Sequence, residues 1–334
     1  MIDLADIAER LTSPPKGVFA ADESPKSADA RLASYGIATG IEMRYKERDM
    51  FLSTPGTEAY LSGVILHEET LEQKCELETV ACPDVLLTSG IMPGIKVDQG
   101  TEPMPSSPDE LITKGLLGLS KRLHGYKDAH QTTFTKWRAV IRIDGDRLPT
   151  SACIVENVKR LAMSARCVQE AGMVPILEPE GLYEGKHSRN RCRDVIAEVL
   201  STLMRALEEH AVDLTAVIVK SSMAMTGKDT GRLDTPEEVA EATLDAFLKS
   251  VSPLVPGIIF LSGGQGDDQA TDNLRAIARL AKTRGVPWKL TFSYSRALQD
   301  DALKAWGGKD ENVPAARAAF LSRLEKVSSA AMGE

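Results

Sequence analysis

Between Val174 and Lys220 the chain reads VPILEPEGLYEGKHSRNRCRDVIAEVLSTLMRALEEHAVDLTAVIVK. Its two ends, Val174 to Leu177 and Ala216 to Val219, are short apolar runs of strand length. Between them, Ser188 to His210 repeats apolar residues at helical spacing behind a serine of the kind that caps a helix. A strand, a helix long enough to cross back and a second strand make a crossover unit, and such units build parallel sheets. The same alternation continues on both sides. Further apolar segments stand at Val18 to Ala21, Gly63 to Leu66, Ile91 to Val97, Trp137 to Ile143, Ile258 to Leu261 and Leu290 to Phe292. Amphipathic stretches at Thr150 to Gly172, Thr235 to Val251 and Asp267 to Gly285 separate several of them. Eight strand-helix units in 334 residues predict an α/β fold, a closed (β/α)8 TIM barrel, rather than an open doubly wound sheet. An open sheet usually carries a glycine-rich nucleotide turn after its first strand, and that turn is missing.

The rest of the chain fits one domain over 1–334, because no Pro/Gly/Ser-rich linker or block of like charge divides it. Met1 to Leu11 reads as an acidic amphipathic helix, Asp98 to Tyr126 as a surface insertion after the third strand, and the end as a short helical tail. A formal net charge of -8 argues against nucleic-acid or anionic-membrane partners. No apolar run approaches the length of a membrane span, and no signal peptide is visible. The five cysteines, Cys75, Cys82, Cys153, Cys167 and Cys192, show no close-spaced pair and read as free thiols of a cytoplasmic protein. His67, His124, His130, His187 and His210 lack ligand spacing, so the reading includes no metal, and no cofactor motif appears.

A barrel of this kind carries its chemistry at the C-terminal ends of its strands, and polar residues gather there. The first strand ends in Asp22-Glu23-Ser24, the third in Lys96 and Asp98, and the fifth in Glu178-Pro179-Glu180. Lys136 and Arg138 share one face of the fourth strand by its two-residue period, as Glu178 and Glu180 do on the fifth. Lys220 closes the sixth. An ammonium at the end of a buried strand is either an ion-pair partner or a chemically used amine. A second lysine about 6 Å away, at an effective dielectric near 20, disfavours the ammonium by about 2.8 kcal/mol, or about two pKa units. That expectation favours an amine able to form a Schiff base with a carbonyl, with Glu178 moving protons and Asp22 acting on a substrate hydroxyl. Ser262-Gly263-Gly264 after the seventh strand, and Ser293, Ser295 and Arg296 after the eighth, have the small residues and forked cation of a phosphate site.

At these residues the chain resembles the class I, Schiff-base-forming fructose-1,6-bisphosphate aldolases, from about Lys16 to about Asn312. The motifs that carry the resemblance begin with Ala20-Ala21-Asp22-Glu23-Ser24, Gly94-Ile95-Lys96-Val97-Asp98 and Lys136-Trp137-Arg138. They continue with Glu178-Pro179-Glu180, Leu261-Ser262-Gly263-Gly264-Gln265 and Ala302-Leu303-Lys304-Ala305-Trp306-Gly307-Gly308. The resemblance implies Lys220 as the Schiff-base amine, Glu178 as its acid and base, Lys136 as an electrostatic helper, Asp22 in carbon–carbon cleavage and Glu180 as an orienting group. It implies one phosphate on Ser262, Gly263, Gly264 and Arg296. The other falls on Ser24, Ser27 and Lys96, with Arg31, Arg44 and Arg138 nearby. A homotetramer acting on a phosphorylated sugar is implied as well. Related chemistry on another phosphorylated ketose, or a barrel kept as a binding scaffold, are the alternatives. Three departures stand out. Ser221-Ser222-Met223 replaces the family's Pro-Asn-Met, Ser295 replaces a glycine, and the last tyrosine is Tyr294 where the family has one in its C-terminal tail.

Overall fold

The structure, a computed structural model, describes residues 3–75 and 79–334. Each expected apolar segment forms a strand: β1 (Gly17–Ala21), β2 (Leu61–Leu66), β3 (Met92–Lys96) and β4 (Phe134–Ile141). The second half of the sheet holds β5 (Val174–Gly181), β6 (Ile218–Ser221), β7 (Gly257–Phe260) and β8 (Lys289–Phe292). They pair in parallel and in chain order. β1 and β8 then meet across a seam, where the Ala20 N–H donates to the Tyr294 carbonyl at 2.9 Å and the Thr291 hydroxyl to the Lys16 carbonyl at 2.8 Å. The result is the (β/α)8 barrel that the alternation predicts. β6 begins two residues later than its apolar run because Leu214–Ala216 is a 3-10 turn held by the Asp213 side chain.

Helix boundaries follow local chemistry. The hydroxyls of Thr150, Ser188 and Thr235 accept the backbone N–H groups of Cys153, Arg191 and Glu238 at the starts of the helices Ser151–Glu170, Arg189–Glu209 and Pro236–Ser250. Each such cap contributes about 1 kcal/mol. Gly285, at φ 61°, ends Asp267–Arg284 in the left-handed conformation that a glycine adopts freely. The strands divide their side chains by the two-residue period: Val18 and Ala20 face one buried cluster, Phe19 and Ala21 another. The first cluster fills the barrel with Ile65, Phe134, Ile176, Ile218 and Ile259, and Ile7, Ala8 and Leu11 of the helix Leu4–Leu11 close it from below. Gly94 has no side chain where a Cβ would stand 2.3 Å from the Phe134 ring, so that large residue fits only because β3 carries a glycine there.

Three expectations change. The stretch Asp98 to Tyr126 is not one insertion: Thr101–Met104 and Ser107–Thr113 form an antiparallel hairpin, while Leu119–His130 is the crossover helix between β3 and β4. Glu110 pins the hairpin to the barrel, accepting the Thr150 N–H at 2.8 Å and its hydroxyl at 2.6 Å. The final helix, Val313–Ala331, is no short tail. It buries Phe320, Leu324 and Val327, and the Phe320 ring lies 4.8 Å from Phe51 and 5.1 Å from Phe19. Cys75 and Cys82 are not free thiols but a disulfide, with Cα atoms 5.0 Å apart. The cause is a short-range pairing: Lys74–Cys75 pairs antiparallel with Val80–Ala81, which brings Cys82 back beside Cys75. Cysteine usage therefore carries no argument for a reducing compartment, and Cys153, Cys167 and Cys192 are the free thiols. No helix among the described residues is long and apolar enough to cross a membrane.

Candidate active site

The C-terminal ends of the strands open into a cavity of about 730 Å³. Its floor is a row of alternating charges. The Lys220 ammonium lies 3.1 Å from Glu178 Oε1, Lys136 lies 3.3 Å from Glu178 Oε2, and Lys136 lies 2.6 Å from Asp22. Lys136 and Lys220 are each 3% exposed and Glu178 4%. Neighbouring strands in register set this geometry: Arg138 is paired with Glu178 across β4 and β5, and the side chains of β6 follow one strand further on. The sequence offered ion pair and reactive amine as alternatives for Lys220; its ion-pair partner turns out to be the carboxylate suited to move its proton.

The two lysines are brought together on one carboxylate, Glu178, and Lys136 has Asp22 besides. Burial raises the Glu178 carboxyl, but Lys220, Lys136 and Arg138 outweigh it and hold Glu178 below the ordinary glutamate range. Asp22 is likewise raised by burial and brought below its ordinary value by Lys136, Lys220 and Lys96. Lys136 shows the reverse balance: burial favours its neutral amine, and Asp22, Glu178 and Asp98 override this to keep it a cation. Two carboxylates stay ionised.

The walls carry the remaining expected residues. Glu180 accepts from the Arg138 Nε, fixing the guanidinium at the rim, and Lys96 donates to Asp98 Oδ1 at 2.6 Å. Ser24 caps the helix Pro25–Ser34, its oxygen 3.0 Å from that of Ser27, so that two hydroxyls and a helix N-terminus face the cavity beside Lys96. Across the mouth stand Ser262, Gly263, Ser293, Ser295 and Arg296. Arg296 has no ion-pair or hydrogen-bond partner among the described residues, and the buried Ser293 hydroxyl also lacks one. Gly264, at φ 87°, needs its glycine, and a Cβ there would stand 3.4 Å from the Arg296 guanidinium. Ser295 has φ -113°, so the residue that replaces the family's glycine stands outside the left-handed region that favours glycine.

Two expected residues lie elsewhere. Arg44 is buried in the helix Ile41–Leu52 and forks onto Asp29 at 2.9 Å and Glu69 at 2.7 Å, with no face on the cavity. Arg31 sits behind the wall, bound to Glu23 at 2.8 Å and Asp300 at 2.5 Å. Other residues went unseen. His67, considered from sequence only as a metal ligand, lines the cavity with Glu68, Arg122 and Tyr126. It follows directly on Leu66, the end of β2, and the rule applied to the other strand ends would have found it. Burial and Lys96 push its imidazole below the usual histidine range. Burial and Glu68, which accepts the Tyr126 hydroxyl at 3.1 Å, raise that phenol to about 12.

The remaining departures are turned inward. The Ser221 hydroxyl donates to the Ser222 carbonyl at 3.0 Å and that of Ser222 to the Gly181 carbonyl at 2.8 Å. Tyr294 is buried with its hydroxyl on the Ala270 carbonyl at 2.9 Å. The carbonyls of Met332, Gly333 and Glu334 are held by Lys282, Arg279 and Arg275 of the helix Asp267–Arg284. Among the described residues no group of three or more His, Cys, Asp or Glu side chains is arranged to hold a metal ion.

Comparison with known proteins agrees with this geometry. A family model described as fructose-bisphosphate aldolase class-I matches residues 3–334. The cytosolic fructose-bisphosphate aldolase 4 of Arabidopsis thaliana is 42% identical over 326 residues, 98% of this chain and 82% of that protein. A probable class 1 fructose-bisphosphate aldolase of Xanthomonas axonopodis pv. citri is 40% identical over 333 residues, covering 99% of this chain and 98% of the relative. Among solved structures, the fructose-bisphosphate aldolase of Plasmodium falciparum, in complex with TRAP and a small-molecule inhibitor, superposes with a TM-score of 0.95. It is 40% identical and covers 99% of this chain and 94% of that one.

Proposed function

We propose that this chain, which belongs to the class-I fructose-bisphosphate aldolase family, performs the family's chemistry with Lys220, Glu178, Lys136 and Asp22. It is a lyase that reversibly cleaves fructose 1,6-bisphosphate to dihydroxyacetone phosphate and glyceraldehyde 3-phosphate through a lysine Schiff base, a reaction of glycolysis and gluconeogenesis. The observation that carries the assignment of roles is the Lys220–Glu178 pair, 3.1 Å apart at the floor of the cavity. Lys220 becomes a nucleophile by passing a proton to that carboxylate. The neutral amine adds to the ketose carbonyl, and Glu178 returns the proton to the leaving hydroxyl, so that water departs and an imine remains.

Lys136, held as a cation by its carboxylate neighbours, stabilises negative charge developing on substrate oxygen. Asp22, kept ionised, accepts the proton of the substrate hydroxyl next to the bond that breaks. That oxygen becomes the aldehyde carbonyl, and the electron pair of the broken bond moves into the imine to give an enamine on Lys220. Protonation of the enamine carbon and hydrolysis, with Glu178 again as acid and base, release dihydroxyacetone phosphate. The imine nitrogen is the electron sink, so the chemistry requires no cofactor.

The uncommitted Arg296, the Ser293 hydroxyl and the loop Ser262-Gly263-Gly264 support one phosphate subsite; Ser24, Ser27 and Lys96 support the other, with Arg138 and Glu180 at the rim. Because the whole site belongs to one barrel, 1–334 is read as one functional domain. A homotetramer is the assembly the family resemblance implies, and light scattering tests it. A cytoplasmic setting is supported by a relative named as cytosolic. Borohydride added with dihydroxyacetone phosphate should inactivate the enzyme by reducing an imine on Lys220. Mass spectrometry of the trapped peptide decides this, and an adduct on another lysine overturns the assignment.

A further inference from the structure

The seam between β1 and β8 lies between the two groups of residues read above as phosphate subsites. β1 runs into Glu23 and then Ser24, the cap of one helix; β8 runs into Ser295, which precedes Arg296 at the start of another. Low in the barrel the seam is joined by the Thr291 hydroxyl on the Lys16 carbonyl, and higher up, just before Ser295, by the Ala20 N–H on the Tyr294 carbonyl. At the mouth it is joined by side chains. The Ser295 hydroxyl donates to Glu23 Oε1 at 2.5 Å, and Arg31 binds the same carboxylate oxygen at 2.8 Å. The Gln299 amide lies 3.1 Å from the serine oxygen, and Asp300 holds the far end of Arg31 at 2.5 Å. A glycine at this position supplies a backbone N–H and nothing that reaches across the seam. The serine adds a bond between the two loops.

We propose that Ser295, through its hydroxyl on Glu23, is a positioning residue that fixes the separation of the two phosphate subsites and so favours a ligand carrying two phosphates over one carrying one. The inference rests on the assignment of those subsites in the preceding section. A ligand with one phosphate needs each half of the mouth to be correct only by itself. A bisphosphate also needs the two halves at the right distance, and any spread between them weakens its binding.

The test compares Michaelis constants for fructose 1,6-bisphosphate and fructose 1-phosphate in the full-length enzyme. Ser295→Ala should raise the ratio of the first to the second about three- to ten-fold, the range of one lost hydrogen bond. Ser295→Thr, which keeps the hydroxyl, should restore it. Glu23→Gln should shift the ratio in the same direction, and the double variant should do no more than the stronger single one. Thermal melts monitor folding, and Glu23→Gln makes the comparison if Ser295→Ala does not fold. Arg296→Ala separates the two layers of the argument, since it should raise both constants. If Arg296→Ala leaves both unchanged, the subsite assignment and the proposal fall together. If it raises both while Ser295→Ala leaves the ratio untouched, the proposal alone is overturned.

Discussion

Replacing Glu178 with glutamine keeps the shape of the side chain and removes its ability to carry a proton. In the structure this carboxylate is the one beside Lys220, at 3.1 Å, whereas Lys136 also has Asp22 at 2.6 Å. At that separation and an effective dielectric of about 20, the Lys220–Glu178 attraction is on the order of 5 kcal/mol. The substitution takes away that attraction. It also takes away the group that returns a proton to the leaving hydroxyl. General acid–base catalysis is worth about 10²- to 10⁴-fold, or roughly 3–5 kcal/mol of barrier, so the second effect dominates the rate. Single-turnover experiments should show imine formation and hydrolysis slowed by about that factor. Sugar-phosphate affinity, measured with an unreactive hexitol bisphosphate, should change less than about three-fold, because the proposed phosphate subsites lie on the walls. Equal losses in affinity and rate would falsify the role of Glu178 as a proton carrier and make it a structural counterion.

Arg296→Ala should raise the Michaelis constant for fructose 1,6-bisphosphate about ten- to 150-fold, the cost of a charge-assisted phosphate contact, with an unchanged melting curve; an unchanged constant would move that subsite elsewhere. Arg44→Ala should do the opposite, lowering the urea midpoint of unfolding by stranding Asp29 and Glu69 while the Michaelis constant of the folded fraction stays put. A large kinetic effect there would restore Arg44 to the site. Glu47 is buried in the helix Ile41–Leu52, and burial together with the charge of Glu23 pushes its carboxyl up to about 8. Its folded pKa lies above the unfolded one, so its contribution is fully present below about pH 4.5 and is lost as pH rises through 8. Glu47→Gln should accordingly match the wild type in stability near pH 5 and exceed it by up to about 3 kcal/mol at pH 8; parallel stability profiles would count against a neutral Glu47.

The barrel was legible because its evidence is local. Runs such as Ala216 to Val219, and caps such as Thr150, Ser188 and Thr235, carry their meaning within a few residues. Lys136, Arg138, Glu178 and Glu180 could be placed on their faces by the two-residue period alone. What escaped depends on partners far away in the chain. Arg44, placed near a phosphate only by the family resemblance, is claimed by Asp29 and Glu69 once the chain folds. Lysines and carboxylates could be gathered at the barrel mouth from their strand ends, but which pairs with which, such as Asp22 at 2.6 Å from Lys136, could not. Cys75 and Cys82 are a local exception, seven residues apart and bonded because Lys74–Cys75 pairs antiparallel with Val80–Ala81. His67 is a different case, since its place after Leu66 was readable and was passed over.

The helix Leu4–Leu11 stoppers the barrel from below, and with Phe134 and its neighbours filling the interior the vessel has one opening. Traffic is therefore two-way through a single door. On the roles proposed for Lys220 and Glu178, the aldehyde is free once its bond to the imine-held fragment breaks and the other fragment only after hydrolysis, and both leave by the mouth that Arg138 and Arg296 line. The stopper at one end of the molecule thus puts every arrival and departure at the other.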